Sequence, residues 1–167
     1  MPFAVLAMSA STHWNVAPAA DGTVKVFCDT SVLVAAFVAS HEHHARARSL
    51  VQQVVDGKVE GVVAAHTLAE LYAVLTRLPV VPRITPTEAS RMVTDNVVAH
   101  FSVQTLSGSD YAALVRKAPG SGIAGGAIYD ALLLACAAKA DVERICTLNV
   151  ADFERLAPEL SSRMAAP

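Results

Sequence analysis

Asp130 stands inside Gly125-Gly-Ala-Ile-Tyr-Asp130-Ala-Leu-Leu-Leu-Ala-Cys-Ala-Ala-Lys139, a run apolar enough that almost every face of the helix it forms must be covered. An ionised carboxylate taken out of water without a partner would sooner neutralise, so an Asp kept in such a place is paired or bound to a metal. Asp29, Glu70 and the Asn149/Asp152 pair offer further oxygen donors where strand-like runs give way to helix-like ones. Hard cations of the Mg2+ kind, or Mn2+ in its place, take one or a few carboxylates, keep several waters and fill the remaining positions with substrate phosphate oxygens. A cation held by Asp29, Glu70 and Asp130, with Asn149 and Asp152 completing the shell, would activate water and neutralise charge on a phosphodiester. That is nuclease chemistry.

Capping competes with this reading at three of the positions. Asp29-Thr-Ser31 suits a helix N-cap, Thr67-Leu-Ala-Glu70 fits a capping box, and Asn149 can cap with Asp152 at the third helical position. Asp130 has no such role, because helix extends on both sides of it. The cluster His41-Glu-His-His44 invites a zinc site, but adjacent histidines point in different directions on a helix.

The elements that must position these residues alternate. Strand-like runs at 24–28, 61–65, 101–104 and 144–148 are separated by helix-like runs at 32–39, 45–55, 68–78, 87–99 and 110–117 and by the helix of Asp130. Thr85 or Thr87 caps the helix around Pro86. The order predicts an α/β three-layer domain, a parallel sheet flanked by helices with right-handed crossovers. Its acidic residues would gather at the carboxyl edge of the strands, where open parallel sheets bind ligands. The glycine-rich stretch 119–126 lacks a following Lys and is no phosphate-binding P-loop.

Phe27-Cys-Asp-Thr-Ser31, Glu70 in a following helix, Ile128-Tyr-Asp-Ala-Leu-Leu133 and Thr147-Leu-Asn-Val-Ala-Asp-Phe153, in that order, resemble the PIN-domain ribonucleases. The length resembles their VapC-like branch, the toxins of type II toxin-antitoxin pairs. The resemblance runs from about residue 24 to about residue 160. It implies a PIN-like sheet and helices, Mg2+- or Mn2+-dependent cleavage of RNA, a cognate antitoxin whose tail covers the site, and a homodimer. Asp29, Glu70 and Asp130 match the family's three acidic ligands. Asn149 falls where many members have a fourth Asp, and Asp152 matches a position that is often acidic. Two rivals stand beside it. A haloacid dehalogenase-type phosphatase also begins with an Asp after its first strand, but needs an acid two positions on, where this chain has Ser31. A non-catalytic PIN-fold binding module is the other, and Asn149 is the feature that favours it.

With 167 residues and 53% hydrophobic content, the chain has material for one domain with a sizeable core. The aromatic share of 5% offers no ladder for stacking successive bases, which argues against a single-strand-binding platform. The net charge of -2 declares no general nucleic-acid binder, and any basic rim must come locally from Arg46, Arg48, Arg77, Arg83, Arg116 and Lys117. Cys28, Cys136 and Cys146 lie in apolar runs without paired spacing and read as buried small hydrophobes in a reducing compartment. The domain is expected over 23–160, with a loose extension over 1–22 and a tail over 161–167. The extension has no basic region before its apolar residues, and no run reaches the roughly 20 apolar residues of a membrane span, so a cytoplasmic protein is expected. The apolar helices near 32–38 and 68–78 mark either a partner surface or ordinary core.

Overall fold

Short β-branched runs form a sheet whose every pairing is parallel. A computed structural model describes residues 23–167, and the extension expected over 1–22 lies outside the described residues. The order is β1 (Lys25–Cys28), α1 (Thr30–Phe37), α2 (His44–Val55), β2 (Glu60–Ala64), α3 (Ala65–Arg77), α4 (Pro86–Val93), β3 (Ser102–Gln104), α5 (Gly108–Lys117), α6 (Ala127–Lys139), β4 (Arg144–Cys146), α7 (Val150–Leu156) and β5 (Met164–Ala165). The strands lie side by side as β3-β2-β1-β4-β5. β1 is central, with Phe27 opposite Val62 of β2 on one side and Ile145 of β4 on the other. The chain thus leaves β1 toward β2 and later returns to its other side, and such a reversal of strand order opens a crevice at the strands' carboxyl ends.

Alternation along each strand divides the core between two helical layers. Val26, Cys28, Val63 and Cys146 face one side, packed with Val32 and Leu33 of α1, Leu50 of α2 and Leu71 and Leu75 of α3. Phe27, Val62, Ala64 and Ile145 face the other, against Leu133, Leu134 and Ala137 of α6 and Phe153 of α7. The three expected layers are therefore present, and the apolar residues of 32–38 and 68–78 are largely core. The three cysteines are buried free thiols, with Cys146 pushed up to about 12, first by burial.

Element ends differ from the sequence reading where local chemistry outweighs pattern. Thr85 and Glu88 close a reciprocal capping box that starts α4 at Pro86. The helix expected through 99 stops at Val93 and continues as a π-helical turn over Thr94–Val98, with the Ala99 N–H donating to the Thr94 carbonyl. Residues 161–167, read as a tail, contain the fifth strand: Met164 and Ala165 pair with Ile145 and Cys146. Two residues are too few to display a strand period.

Gly61 of β2 has a close neighbour on the first face. A Cβ built there would meet Phe101 Cδ1 at 2.5 Å and Val54 Cγ1 at 2.6 Å, closer than carbon atoms pack. Gly61→Ala should push the buried Phe101 ring aside and destabilise the fold by about 1–3 kcal/mol, measurable as a lower urea midpoint. An unchanged midpoint would mean that Phe101 repacks freely.

Candidate active site

Asp29 begins where β1 ends. Its N–H donates to the Cys146 carbonyl at 2.9 Å, carrying the β1–β4 ladder one residue further, while its own carbonyl accepts from the N–H groups of Val32 and Leu33 and opens α1. The residue occupies the N-cap position, yet its side chain does no capping. Carboxylate Oδ2 instead accepts from Ser31 Oγ at 2.6 Å and Thr147 Oγ1 at 2.8 Å. Both hydroxyls are themselves fixed, because Ser31 Oγ accepts from the Leu148 N–H and Thr147 Oγ1 from the Asn149 N–H. Ser31, where a phosphatase of the rival type has its acid, is thus a tether between the β1–α1 and β4–α7 junctions.

Glu70 lies within α3, which begins at Ala65 rather than 68. Ala64 is the N-cap, so the Thr67–Glu70 capping box does not form. Thr67 is fully buried, and its hydroxyl finds no hydrogen-bond partner among the described residues. The Glu70 carboxylate is held from across the site, accepting from Thr30 Oγ1 at 2.6 Å. The Asp-Thr-Ser run therefore orients two carboxylates: its own Asp29 through Ser31, and Glu70 through Thr30.

Asp130 sits in the first turn of α6, nearer the helix start than the apolar run suggested, because the stretch before it remains loop with positive φ at Gly122 and Gly125. A carboxylate there has the favourable end of the helix dipole. Burial, first, and then the charges of Asp29, Asp152 and Glu70 push its pKa up, against the pull of Arg155. Asp29, only 4% exposed, is also pushed up, by burial first and by Glu70, while hydrogen bonds from Ser31, Thr147 and the Thr30 backbone oppose the shift. Glu70 thus opposes ionisation of Asp29, and Asp29, Asp152 and Glu70 oppose that of Asp130. That proximity, with the Thr30–Glu70 hydrogen bond, places Asp29, Glu70, Asp130 and Asp152 at one edge of the sheet.

Asn149 and Asp152 come from the β4–α7 junction. Asn149 is the N-cap of α7 by position, but its side chain makes no cap hydrogen bond. Asp152 is exposed and pairs with Arg155 at 3.3 Å. Sequence reasoning took Thr30 and Ser31 for capping residues and missed Thr147 and Arg155. A hydroxyl following each of β1 and β4 was the available signal for Ser31 and Thr147. His44 bonds the Ala35 carbonyl through Nδ1 at 2.9 Å, tying α2 to α1.

Among the described residues, no three His, Cys, Asp or Glu side chains lie close enough to share one ion directly. The donors are nevertheless all oxygen and carry mutual repulsion that a cation would relieve. Such a set fits Mg2+, which commonly takes one or two carboxylates and reaches others through its waters. From Glu70 a shallow groove of about 350 Å³ runs along α3 past Ala73, Val74 and Arg77 to Leu78 and Pro79.

Comparison with known proteins agrees with this architecture. The PIN domain profile matches residues 26–158. Ribonuclease VapC27 of Mycobacterium tuberculosis is 36% identical over 111 residues, covering 66% of this chain and 75% of that protein. Ribonuclease VapC40 of the same species is 34% identical over 135 residues, covering 79% and 94%. The crystal structure of PAE2754 from Pyrobaculum aerophilum matches in fold with a TM-score of 0.51 at 20% identity, over 83% of this chain and 96% of that one. With its parallel sheet, its acids at the carboxyl edge and these relatives, the chain belongs to the PIN-domain family, among the VapC-like ribonucleases.

Proposed function

We propose that this protein is a Mg2+-dependent endoribonuclease, able to use Mn2+, and the toxin of a type II toxin-antitoxin pair. One observation carries the reading: Asp29 from the end of β1, Glu70 from α3 and Asp130 from α6 gather at the carboxyl edge of the sheet, where Thr30 ties Glu70 to the Asp29 junction and the charges of Asp29 and Glu70 oppose ionisation of Asp130. The ribonuclease names of the VapC27 and VapC40 relatives support the choice of RNA as substrate.

In this reading Asp29, Glu70 and Asp130 would hold the cation directly or through water, and Asn149 and Asp152 would complete or orient the shell. When bound, a divalent cation would supply charge to offset the negative charge that develops on the phosphate oxygens and would acidify an attacking water. Ser31 and Thr147 keep the Asp29 carboxylate in one orientation, and Thr30 does the same for Glu70. Such hydrogen bonds to ligating carboxylates commonly govern metal affinity. Arg155 restrains Asp152 beside Asp130.

Asp130→Asn and Asp29→Asn should each lower RNA cleavage by about a hundredfold or more, the scale on which one electrostatic stabiliser acts, while the purified variants stay folded. Chelator should abolish wild-type cleavage. Wild-type rates in both variants would remove these residues from the chemistry.

The raised pKa values fix the sign of the pH dependence. Asp29 and Asp130 keep protons in the fold at pH values where an unfolded carboxyl, near 3.8, has lost them. Stability of the metal-free protein therefore falls as pH rises through that window, whereas metal binding, which needs the ionised forms, weakens as pH falls through it. Calorimetric titration with Mn2+ should give a lower affinity at a pH of about 5 than at about 7. A flat profile would contradict coupled ligand carboxylates.

A nuclease with an open acidic site endangers the cell that makes it, so the reading includes an antitoxin. The groove beside Glu70 offers apolar side chains to such a partner, and a guanidinium reaching the acids would pair with a carboxylate through two hydrogen bonds. The reading also includes a homodimer. Expression of the protein alone should slow growth, and co-expression of a small protein encoded beside it should restore growth. Harmless expression would remove the toxin role while leaving a nuclease.

A further inference from the structure

One wall of the acidic cleft is aromatic. His66, in the first turn of α3, and Tyr129, in the first turn of α6, lie with ring centroids 5.1 Å apart and planes only 7° from parallel. The two helices belong to opposite layers, α3 packing on one face of the sheet and α6 on the other. The stack therefore spans the carboxyl edge of the sheet from layer to layer. Helix spacing puts His66 on the face of Glu70, four residues apart on α3, and the stack holds the Tyr129 ring there, although Tyr129 and Asp130, adjacent on α6, point in different directions.

Holding two helices together does not account for the exposure of the pair. Tyr129 remains 50% exposed, although a ring used only for packing gains most when covered on both faces. His66 covers one face of the tyrosine, and half of the residue's surface remains open.

We infer that Tyr129, backed by His66, is a stacking subsite for the base of a nucleotide beside the scissile phosphate, an inference that rests on the nuclease reading. Unstacked bases of single-stranded RNA are taken up on aromatic side chains, and such contacts tolerate any base because each has a π-face. A phosphate held among Asp29, Glu70 and Asp130 leaves the adjoining nucleotide within reach of the ring stacked on His66, one helical turn from Glu70. Tyr129 supplies the surface. His66 is a positioning residue that fixes the plane of that ring.

The test uses the full chain carrying Asp29→Asn, so that RNA is bound and not cut, and short single-stranded RNAs in which one base at a time is replaced by the fluorescent analogue aminopurine. Quenching on binding is expected at one position of the RNA. Tyr129→Phe should keep that quenching and the affinity, because the ring stays. Tyr129→Ala should lose the quenching at that position and weaken binding about tenfold or more. A packing role alone would lower the melting temperature of Tyr129→Ala without touching a position-dependent signal. Unchanged quenching and affinity in Tyr129→Ala, or no binding of RNA by the Asp29→Asn protein, overturns the subsite. Turnover of RNA by the wild-type chain with Mg2+ judges the nuclease reading separately. Turnover together with an inert Tyr129→Ala sinks the stacking subsite alone, and stacking without turnover sinks the nuclease and leaves an RNA-binding cleft.

Discussion

A two-point clasp between β1 and β4 holds the cleft together. The Asp29 N–H extends the backbone ladder to Cys146, and its carboxylate is gripped by the hydroxyl of Thr147, the next residue along. A buried carboxylate costs free energy unless its oxygens are satisfied, so the clasp lets Asp29 exist where the sheet ends. Everything else in the site is arranged from there. Ser31 ties the same carboxylate to the β4–α7 junction, and Thr30 reaches out to Glu70.

Electrostatics then work against stability. Glu70 raises the cost of ionising Asp29, and Asp29, Asp152 and Glu70 raise that of Asp130, where Arg155 opposes them. Parallel topology makes this concentration unavoidable, since β1 and β4 run the same way and deliver their following residues to one edge. The price is carried by two apolar layers built from Val, Leu and Ala, in which Gly61 admits Phe101 close to the sheet. Clustered like charges on a well-packed scaffold are a common mark of a functional site.

Much of the scaffold was legible in the chain. Alternating β-branched and helical runs gave the layers, and the apolar surroundings of Asp130 singled it out. The capping reading of Glu70 failed for a local reason, since a capping box requires the helix to begin just before it and α3 begins at Ala65, whereas Asn149 stands at the N-cap of α7 with a side chain that makes no cap hydrogen bond. Sequence pattern locates a helix better than it locates its first residue. β5 escaped notice because an edge strand of two residues carries no periodicity.

By itself, then, the sequence determined the α/β order, the acidic residues and their resemblance to a nuclease family, because hydrophobic period and residue type are local properties. Only tertiary structure decided which hydroxyl meets which carboxylate and that His66 stacks on Tyr129 across the sheet edge. Thr30 and Glu70 are 40 residues apart and Asp29 and Thr147 are 118 apart. Contacts at such separations are set by the register of neighbouring parallel strands and by the packing of helices over them. No single segment of the chain contains that information.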